Sequence, residues 1–281
     1  MIASHVLRRS LLTLLLSAFA AGVLAQAQPA KKDFEPQVGQ EGKDVIWVPT
    51  PQGLVDRMLD MAKVTPNDYV IDLGSGDGRT VITAAKRGAR ALGIEYNPDM
   101  VELSKRNAEK EGVAGKASFV KADIFESDFS QATVITMYLL PQLNVKLRPK
   151  ILDLKPGTRI VSHAFTMEEW TADQTDSFDA RTAYLWIVPA KVEGTWQLAQ
   201  GELLLAQNFQ MLVGTLKSGN NTVMIANGRL RGDQLSFTAG GAEYTGRVNG
   251  NTIEGTVKGA NSGSWSATRI GAKPAAAPPK Y

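Results

Sequence analysis

The stretch Tyr69-Val-Ile-Asp-Leu-Gly-Ser-Gly-Asp-Gly78 decides the fold of this 281-residue chain. Its apolar start has the composition of a buried strand, which ends in an acid, Asp72, and a run of alternating glycines. Because glycine has no Cβ, such a turn adopts backbone angles that other residues avoid, and a ligand can approach the bare backbone. The stretch therefore predicts a strand, a ligand-binding turn and then a helix.

The spacing of the glycines differs from that of dinucleotide-binding proteins. In the G-x-G-x-x-G pattern of those proteins a diphosphate lies at a helix N-terminus, but in Gly74-Ser75-Gly76-Asp77-Gly78 the third glycine comes one residue earlier. Asp72 and Asp77 would repel a diphosphate, whereas they suit a ligand that carries positive charge and hydroxyl groups. S-adenosylmethionine, with its sulfonium, ammonium and ribose diol, is such a ligand.

Two further acids follow at the ends of the next two predicted strands. Glu95 ends the second strand, 23 residues after Asp72, where a βαβ unit places an acid against ribose hydroxyls. Asp123 ends the third strand, where its carboxylate can accept a hydrogen bond from an adenine amino group. The side chain of Ile124 can lie against the adenine ring. The sequence thus predicts three carboxylates along one edge of a sheet.

This combination resembles class I S-adenosylmethionine-dependent methyltransferases over residues 45–190. Two further segments, Val48-Pro49-Thr50-Pro51 and Tyr138-Leu139-Leu140-Pro141, are similar to those of a bacterial exported subgroup close to the mitochondrial-type protein-lysine methyltransferases. The resemblance implies a doubly wound, mostly parallel α/β sheet and methyl transfer to an unidentified acceptor, for which a protein lysine amine is one candidate. It also implies the cofactor-binding residues Asp72, Gly74, Ser75, Gly76, Glu95, Asp123 and Ile124.

Tyr138 and His163 are the candidate catalytic residues. Tyr138 follows the fourth predicted strand and His163 ends the fifth, which places both at the edge where the acceptor would enter. Tyr138 would contact the acceptor and His163 would take its proton. The alternatives are a packed residue at the rim and a structural hydrogen-bonding histidine. Since the cofactor brings an already activated methyl group, alignment matters most and no dedicated base is required.

Two other classes of function are compatible with these residues. One is a non-catalytic exported module that binds a nucleoside or an envelope partner, and the other is a nucleotide-dependent oxidoreductase with the same topology. The chain has no cysteine, which excludes disulfides, zinc-thiolate sites and a thiol nucleophile. It has no dense basic run interleaved with aromatic residues, so we expect no nucleic-acid partner, and we predict no metal site.

Residues 1–25 have the pattern of a secretory signal peptide. Arg8 and Arg9 precede a short apolar core, and Val23-Leu24-Ala25 fits a cleavage site. The alternatives are an uncleaved anchor, although the core is short for a bilayer, and export by the twin-arginine route. Cleavage would reduce the formal net charge of +3 by the two arginines. We therefore expect a periplasmic or secreted protein that has no transmembrane anchor after cleavage.

Beyond residue 190 the helical periodicity ends and short alternating segments follow. Asn227-Gly228 and Asn249-Gly250 are strong hairpin signals. They predict an all-β meander of seven or eight strands that forms a small barrel or sandwich. Before this meander, the polar residues 168–179 are expected to be irregular. The predicted organisation is a linker over residues 26–44, a methyltransferase domain over 45–190, a β domain over 191–270 and a disordered tail over 271–281.

Overall fold

The computed structural model of this protein describes residues 34–259 and 262–271. The predicted signal peptide and nearly all of the predicted tail lie outside these residues, as does the first part of the predicted linker. No helix in the described part of the chain has the length and apolar character needed to cross a membrane. The described residues form an α/β sheet followed by an antiparallel β-barrel.

The first sheet has seven strands in the order β3-β2-β1-β4-β5-β7-β6. Strands β1 to β5 are parallel, whereas β7 runs antiparallel to β5 and to β6. This confirms the predicted doubly wound, mostly parallel sheet. The strands are β1 Tyr69–Leu73, β2 Arg90–Glu95, β3 Ala117–Lys121, β4 Val134–Met137, β5 Arg159–His163, β6 Gln174–Phe178 and β7 Arg181–Ile187, and the helices are α1 Gln52–Met61, α2 Arg79–Lys86, α3 Pro98–Lys110 and α4 Pro141–Leu152.

Helices cover both faces of this sheet, and alternation along the strands divides the core in two. Successive side chains of a strand point to opposite faces, so Val70 and Val134 pack with α1, α2 and α3. The neighbouring residues Ile71 and Ile135 pack with α4 on the other face. Both faces of the central strands are therefore buried, and their functional side chains emerge at the strand ends.

The prediction that residues 168–179 are irregular is wrong for the second half of that stretch. Strand β6 lies at the edge of the sheet and pairs with β7 through a turn at Asp179 and Ala180, which have φ angles of 50° and 57°. Its side chains are mostly exposed, so the segment has no alternation of apolar and polar residues to reveal a strand. Backbone pairing with β7 supplies the order instead.

The second sheet closes into a barrel, which decides between the two predicted β architectures. Its first strand pairs with its last, since Gln197 lies opposite Thr268. Two of its short strands pair with the same neighbour on either side of Ile225 and act as one, which gives eight staves. The strands are β8 Gly194–Leu198, β9 Gly201–Asn208, β10 Met211–Ser218, β11 Asn221–Met224, β12 Ala226–Arg231, β13 Gln234–Ala239, β14 Ala242–Asn249, β15 Thr252–Lys258 and β16 Gly263–Arg269.

Candidate functional site

A cavity of about 300 Å³ lies at the carboxyl ends of the parallel strands, where α/β sheets commonly bind ligands. Its walls come from the ends of β1, β2 and β4, from the turn after β3, and from residues 40–50. Every predicted cofactor-binding residue lines it, and so does Tyr138, whereas His163 does not. These lining residues are Asp72, Gly74, Ser75, Gly76, Glu95, Asp123 and Ile124.

The glycine turn between β1 and α2 presents bare backbone to the cavity. Gly74 and Gly76 have φ angles of 79° and 53°, which side-chain-bearing residues rarely adopt. A Cβ on Gly76 would come within 2.6 Å of the Nε1 atom of Trp47, and one on Gly74 within 3.2 Å of Leu139. A larger residue at Gly76 would thus fill the space between the turn and the indole, which is where a ligand would need room.

Glu95 connects the glycine turn to the start of α3. One carboxylate oxygen accepts a hydrogen bond from the amide of Gly76 at 2.9 Å, and the other accepts from the amide of Asn97 at 2.9 Å. A carboxylate has about four acceptor positions, so Glu95 can hold both amides and still accept from the hydroxyls of a ribose. The side chain of Asn97 in turn caps α3 by accepting from the amide of Asp99 at 2.9 Å.

Asp72 is buried beneath the glycine turn, with 6% of its surface exposed. Its Oδ1 atom accepts a hydrogen bond from the hydroxyl of Thr136 at 2.7 Å. Burial raises the pKa of Asp72 to about 7 despite this hydrogen bond, and the charges of Glu95 and Asp77 raise it further. A cationic ligand group would favour the ionised form. The buried acid, the bare turn and Glu95 fit the ammonium, sulfonium and ribose of S-adenosylmethionine.

Asp123 forms an ion pair that the sequence analysis missed. Its carboxylate accepts a hydrogen bond from the Lys43 ammonium, which lowers the pKa of Asp123. The same ammonium lies 4.9 Å from the centre of the Tyr96 ring. Lys43 belongs to residues 34–44, which were expected to be linker. These residues are held against the cavity by backbone hydrogen bonds such as that from Trp47 to Gln40, at 2.9 Å.

The other end of the cavity is aromatic and apolar. The ring of Tyr138 stacks on Phe165, with 5.9 Å between the ring centres, and packs against His163 at 3.8 Å. Both Tyr138 and Phe165 line the cavity, together with Leu139, Leu140 and Leu143. This wall can hold the aliphatic part of an acceptor beside the reactive end of a bound nucleoside.

His163 occupies a supporting position and not the predicted position of a base. It is only 3% exposed, lies outside the cavity lining and has its Nδ1 atom 3.0 Å from the Thr50 hydroxyl. Burial lowers the pKa of His163 to about 4, and the charge of Arg181 lowers it further, so the ring is neutral at pH 7. Because Tyr138 and Thr50 stand between this ring and the cavity, the geometry does not support direct proton transfer to His163.

The cavity carries a strong excess of negative charge. Its two cationic side chains are both paired with carboxylates, Lys43 with Asp123 and Arg79 with Asp77, the latter at 2.6 Å. Six carboxylates line it, from Glu41, Asp44, Asp72, Asp77, Glu95 and Asp123. Such a cavity attracts cations and repels phosphates.

Comparisons with known proteins agree with this geometry. The family model described as "ANTKMT methyltransferase domain" matches residues 72–174. A protein-lysine N-methyltransferase of Saccharolobus islandicus (strain REY15A) is 46% identical over 151 residues, which cover 51% of this chain and 94% of that protein. A lysine N-methyltransferase of Rattus norvegicus that is named for a component of ATP synthase is 38% identical over 141 residues, which cover 49% of this chain and 65% of the rat protein.

One solved structure is similar over the same portion of the chain. It is described as an RNA methyltransferase from Salinibacter ruber in complex with S-adenosyl-L-homocysteine. Its sequence identity is 49% and its TM-score 0.51, over 52% of this chain and 96% of that chain. The bound homocysteine derivative is the demethylated form of S-adenosylmethionine, as the predicted cofactor requires. The family match ends at residue 174, before the β-barrel begins.

Proposed function

This chain belongs to the family of S-adenosylmethionine-dependent methyltransferases that includes the archaeal protein-lysine N-methyltransferase, and we propose from this membership and from the charge of the cavity that it methylates a lysine side chain of a protein. The membership decides against the two alternatives of a non-catalytic binding module and an oxidoreductase. The relatives named above methylate lysine, whereas the similar solved structure is described as an RNA methyltransferase. The acceptor therefore has to be argued from the site itself.

The negative charge of the cavity is the observation that carries the proposal. A lysine side chain arrives as an ammonium ion and is attracted by the six carboxylates of the lining. An RNA acceptor would bring phosphates, whose binding relies on free lysine and arginine side chains. Arg79 and Lys43 are already engaged by Asp77 and Asp123. The balance of charge thus favours an amine acceptor over a nucleic acid.

The aromatic end of the cavity suits the shape of lysine. The four-carbon stem of lysine can pack along apolar surface while its amine stays polar, and Tyr138, Phe165 and Leu143 offer such a surface. When bound, S-adenosylmethionine supplies a methyl group on a sulfonium, which the neutral amine can accept. The contribution of these residues is to align the amine, and the hydroxyl of Tyr138 can orient it. The amine releases its proton to solvent.

Export is a second part of the proposal. Its support is the sequence of residues 1–25, which lie outside the described structure. If the prediction is correct, protein recovered from the periplasm of an expressing bacterium begins near Gln26. N-terminal sequencing of that protein checks it, and a chain that still contains Arg8 and Arg9 would contradict cleavage.

Amino-acid analysis of the methylated product tests the acceptor. Purified protein is incubated with a bacterial protein extract and methyl-tritiated S-adenosylmethionine, and the product is treated with ribonuclease or with proteinase. We expect radioactivity that survives ribonuclease, is lost with proteinase and elutes as methyl-lysine after acid hydrolysis. A Gly76→Asp variant, whose turn is blocked, provides the background. Label that ribonuclease removes, or that elutes with another amino acid, would overturn the proposal.

A further inference from the structure

The β-barrel contacts the methyltransferase domain beside the aromatic end of the cavity. The contact is made by the connection between β5 and β6, residues 164–173, which we name the acceptor loop. One end of this loop carries Phe165, which lines the cavity. The other end carries Trp170, Thr171 and Asp173, each of which contacts a residue of the barrel. The loop therefore joins the proposed acceptor site to the barrel.

Phe209, in the turn between β9 and β10, contacts both the acceptor loop and α4. Its ring stacks on Trp170, with 5.9 Å between ring centres and 12° between ring planes. The guanidinium of Arg148, from α4, lies 5.4 Å from the centre of the same ring. Arg148 also donates a hydrogen bond to the carbonyl of Met167 at 2.8 Å. Phe209 thus packs where the loop and the helix that follows Tyr138 meet.

Gln210, the next residue, holds the acceptor loop through its side chain. It is 2% exposed, and its amide donates to the carbonyl of Thr171 at 2.7 Å. Its own carbonyl accepts from the amide of Leu230 at 2.7 Å, which ties the turn to β12. A buried amide leaves polar atoms unpaired when its partner moves, at a substantial energetic cost. The position of Thr171 is therefore specified by the barrel.

The near end of the acceptor loop moves with α4. Asn144, fully buried in α4, donates hydrogen bonds to the carbonyls of Phe165 at 3.3 Å and Thr166 at 3.1 Å. An antiparallel bridge between Met167 and Trp170 closes the middle of the loop. A shift of Trp170 is consequently transmitted over a few residues to Phe165, which stacks on Tyr138.

We propose that Phe209 and Gln210 of the barrel are positioning residues, which hold the acceptor loop and thereby set the place of Phe165 in the acceptor wall. The inference rests on the proposed function, because that function gives this wall the task of aligning an acceptor. The residues concerned lie beyond residue 174, outside the match to the methyltransferase family. The barrel thus acts in this chain as a part of the acceptor site, and its turn governs acceptor use without touching the cofactor.

Five variants of the full chain test this role. Phe209→Ala and Gln210→Ala remove the two contacts, and Phe209→Tyr keeps the stacking ring. Two control variants change the barrel elsewhere. Tyr244→Ala removes an aromatic ring stacked 4.7 Å from Phe237 inside the barrel, and Gln197→Ala removes an amide that donates to Leu198 and Gly201 at the opposite end of β9.

Hydrogen–deuterium exchange of residues 164–173 is the first readout, and it does not depend on the acceptor. Exchange should rise in Phe209→Ala and Gln210→Ala and stay at the wild-type level in Phe209→Tyr and in both control variants. The affinity for S-adenosylhomocysteine should change less than about twofold, because the contacts to the turn and to Glu95 are untouched. Unchanged exchange over residues 164–173 in both alanine variants would overturn the proposal.

Steady-state methylation of poly-L-lysine is the second readout. The KM for poly-L-lysine should rise about tenfold or more in the two alanine variants, since small displacements of a positioning element have effects of this size. The control variants should keep the wild-type KM. If the wild-type protein leaves poly-L-lysine unmethylated, the lysine acceptor loses its support while the exchange measurement still decides the positioning role. An equal KM in all variants of an active enzyme would contradict that role.

Discussion

Glu95 is the residue on which binding of the nucleoside depends most. It fixes the amides of Gly76 and Asn97 and, in our account, also accepts from the ribose. Glu95→Ala should weaken the binding of S-adenosylhomocysteine by about 1–3 kcal/mol, the usual effect of leaving buried donors without a charged acceptor. Titration calorimetry measures this. Glu102→Ala, an exposed acid of α3 that pairs with Lys105, serves as the control. An unchanged affinity in the Glu95 variant would remove Glu95 from the site.

Asp72 should make nucleoside binding depend on pH. Burial raises its pKa to about 7, so below that pH the free protein carries mostly the neutral acid. An ammonium ligand prefers the ionised carboxylate, so binding must release a proton there and the affinity rises with pH up to about the pKa. S-adenosylhomocysteine should therefore bind more tightly at about pH 8 than at about pH 6. Calorimetry at both pH values should show this in the wild type and little change in Asp72→Asn, and a flat wild-type profile would refute it.

At the residue scale, the sequence predicts what topology brings together and misses what the loops do. Asp72, Glu95 and Asp123 were predicted to share an edge because the carboxyl ends of parallel strands meet there, and all three line the cavity. The partner of Asp123 is 80 residues away in the sequence, at Lys43. A lysine in a polar segment without periodicity carries no information about its partner, so that contact could not have been predicted.

At the scale of elements, the first turn of α3 contributes to both stability and the site. The Asn97 side chain accepts from the amides of Asp99 and Met100, and Pro98 follows it. Replacing such a cap by alanine costs about 1 kcal/mol. Asn97→Ala should therefore lower the midpoint of urea unfolding, whereas Asn67→Ala, at an exposed position outside any helix end, should leave it unchanged. Equal midpoints for the two variants would show that the cap is dispensable.

The elements that the sequence predicts well are those with apolar periodicity. Strands β1, β2 and β4 have continuous apolar runs because both of their faces are buried. Strand β6 was missed for the opposite reason, since its order comes from pairing with β7 and its side chains face solvent. The acceptor loop has a similar origin, because contacts with Asn144, Arg148 and the barrel determine its path.

For the whole molecule, closure of the β domain depends on a contact between its two ends. The turns between neighbouring strands were predictable from Asn249-Gly250 and similar signals. The pairing of β8 with β16, which separates a barrel from a sandwich, joins residues about 70 positions apart along the chain. No local pattern encodes such a pairing. The same holds for the contact of Phe209 with Trp170, which joins the barrel to the first domain.

The acid stability of the whole molecule should depend on His163. Burial lowers its pKa to about 4, whereas the unfolded chain takes up this proton near pH 6.5. The unfolded state therefore binds more protons between these values, so stability is fully present above about pH 6.5 and falls as the pH drops toward about 4. Thermal unfolding of His163→Gln should become less sensitive to pH than that of the wild type across this range. Parallel curves for the two proteins would contradict the assigned pKa.

The most direct test of the central claim is a crystal structure of the complex with S-adenosylhomocysteine. That claim is that the acids after β1, β2 and β3 hold one adenosyl group along the sheet edge. We predict the ribose hydroxyls on Glu95, the adenine amino group on Asp123 with Lys43 moved away, and the sulfur directed toward Tyr138 and Phe165. A nucleoside bound elsewhere on the chain, or one whose ribose lies away from Glu95, would contradict the account.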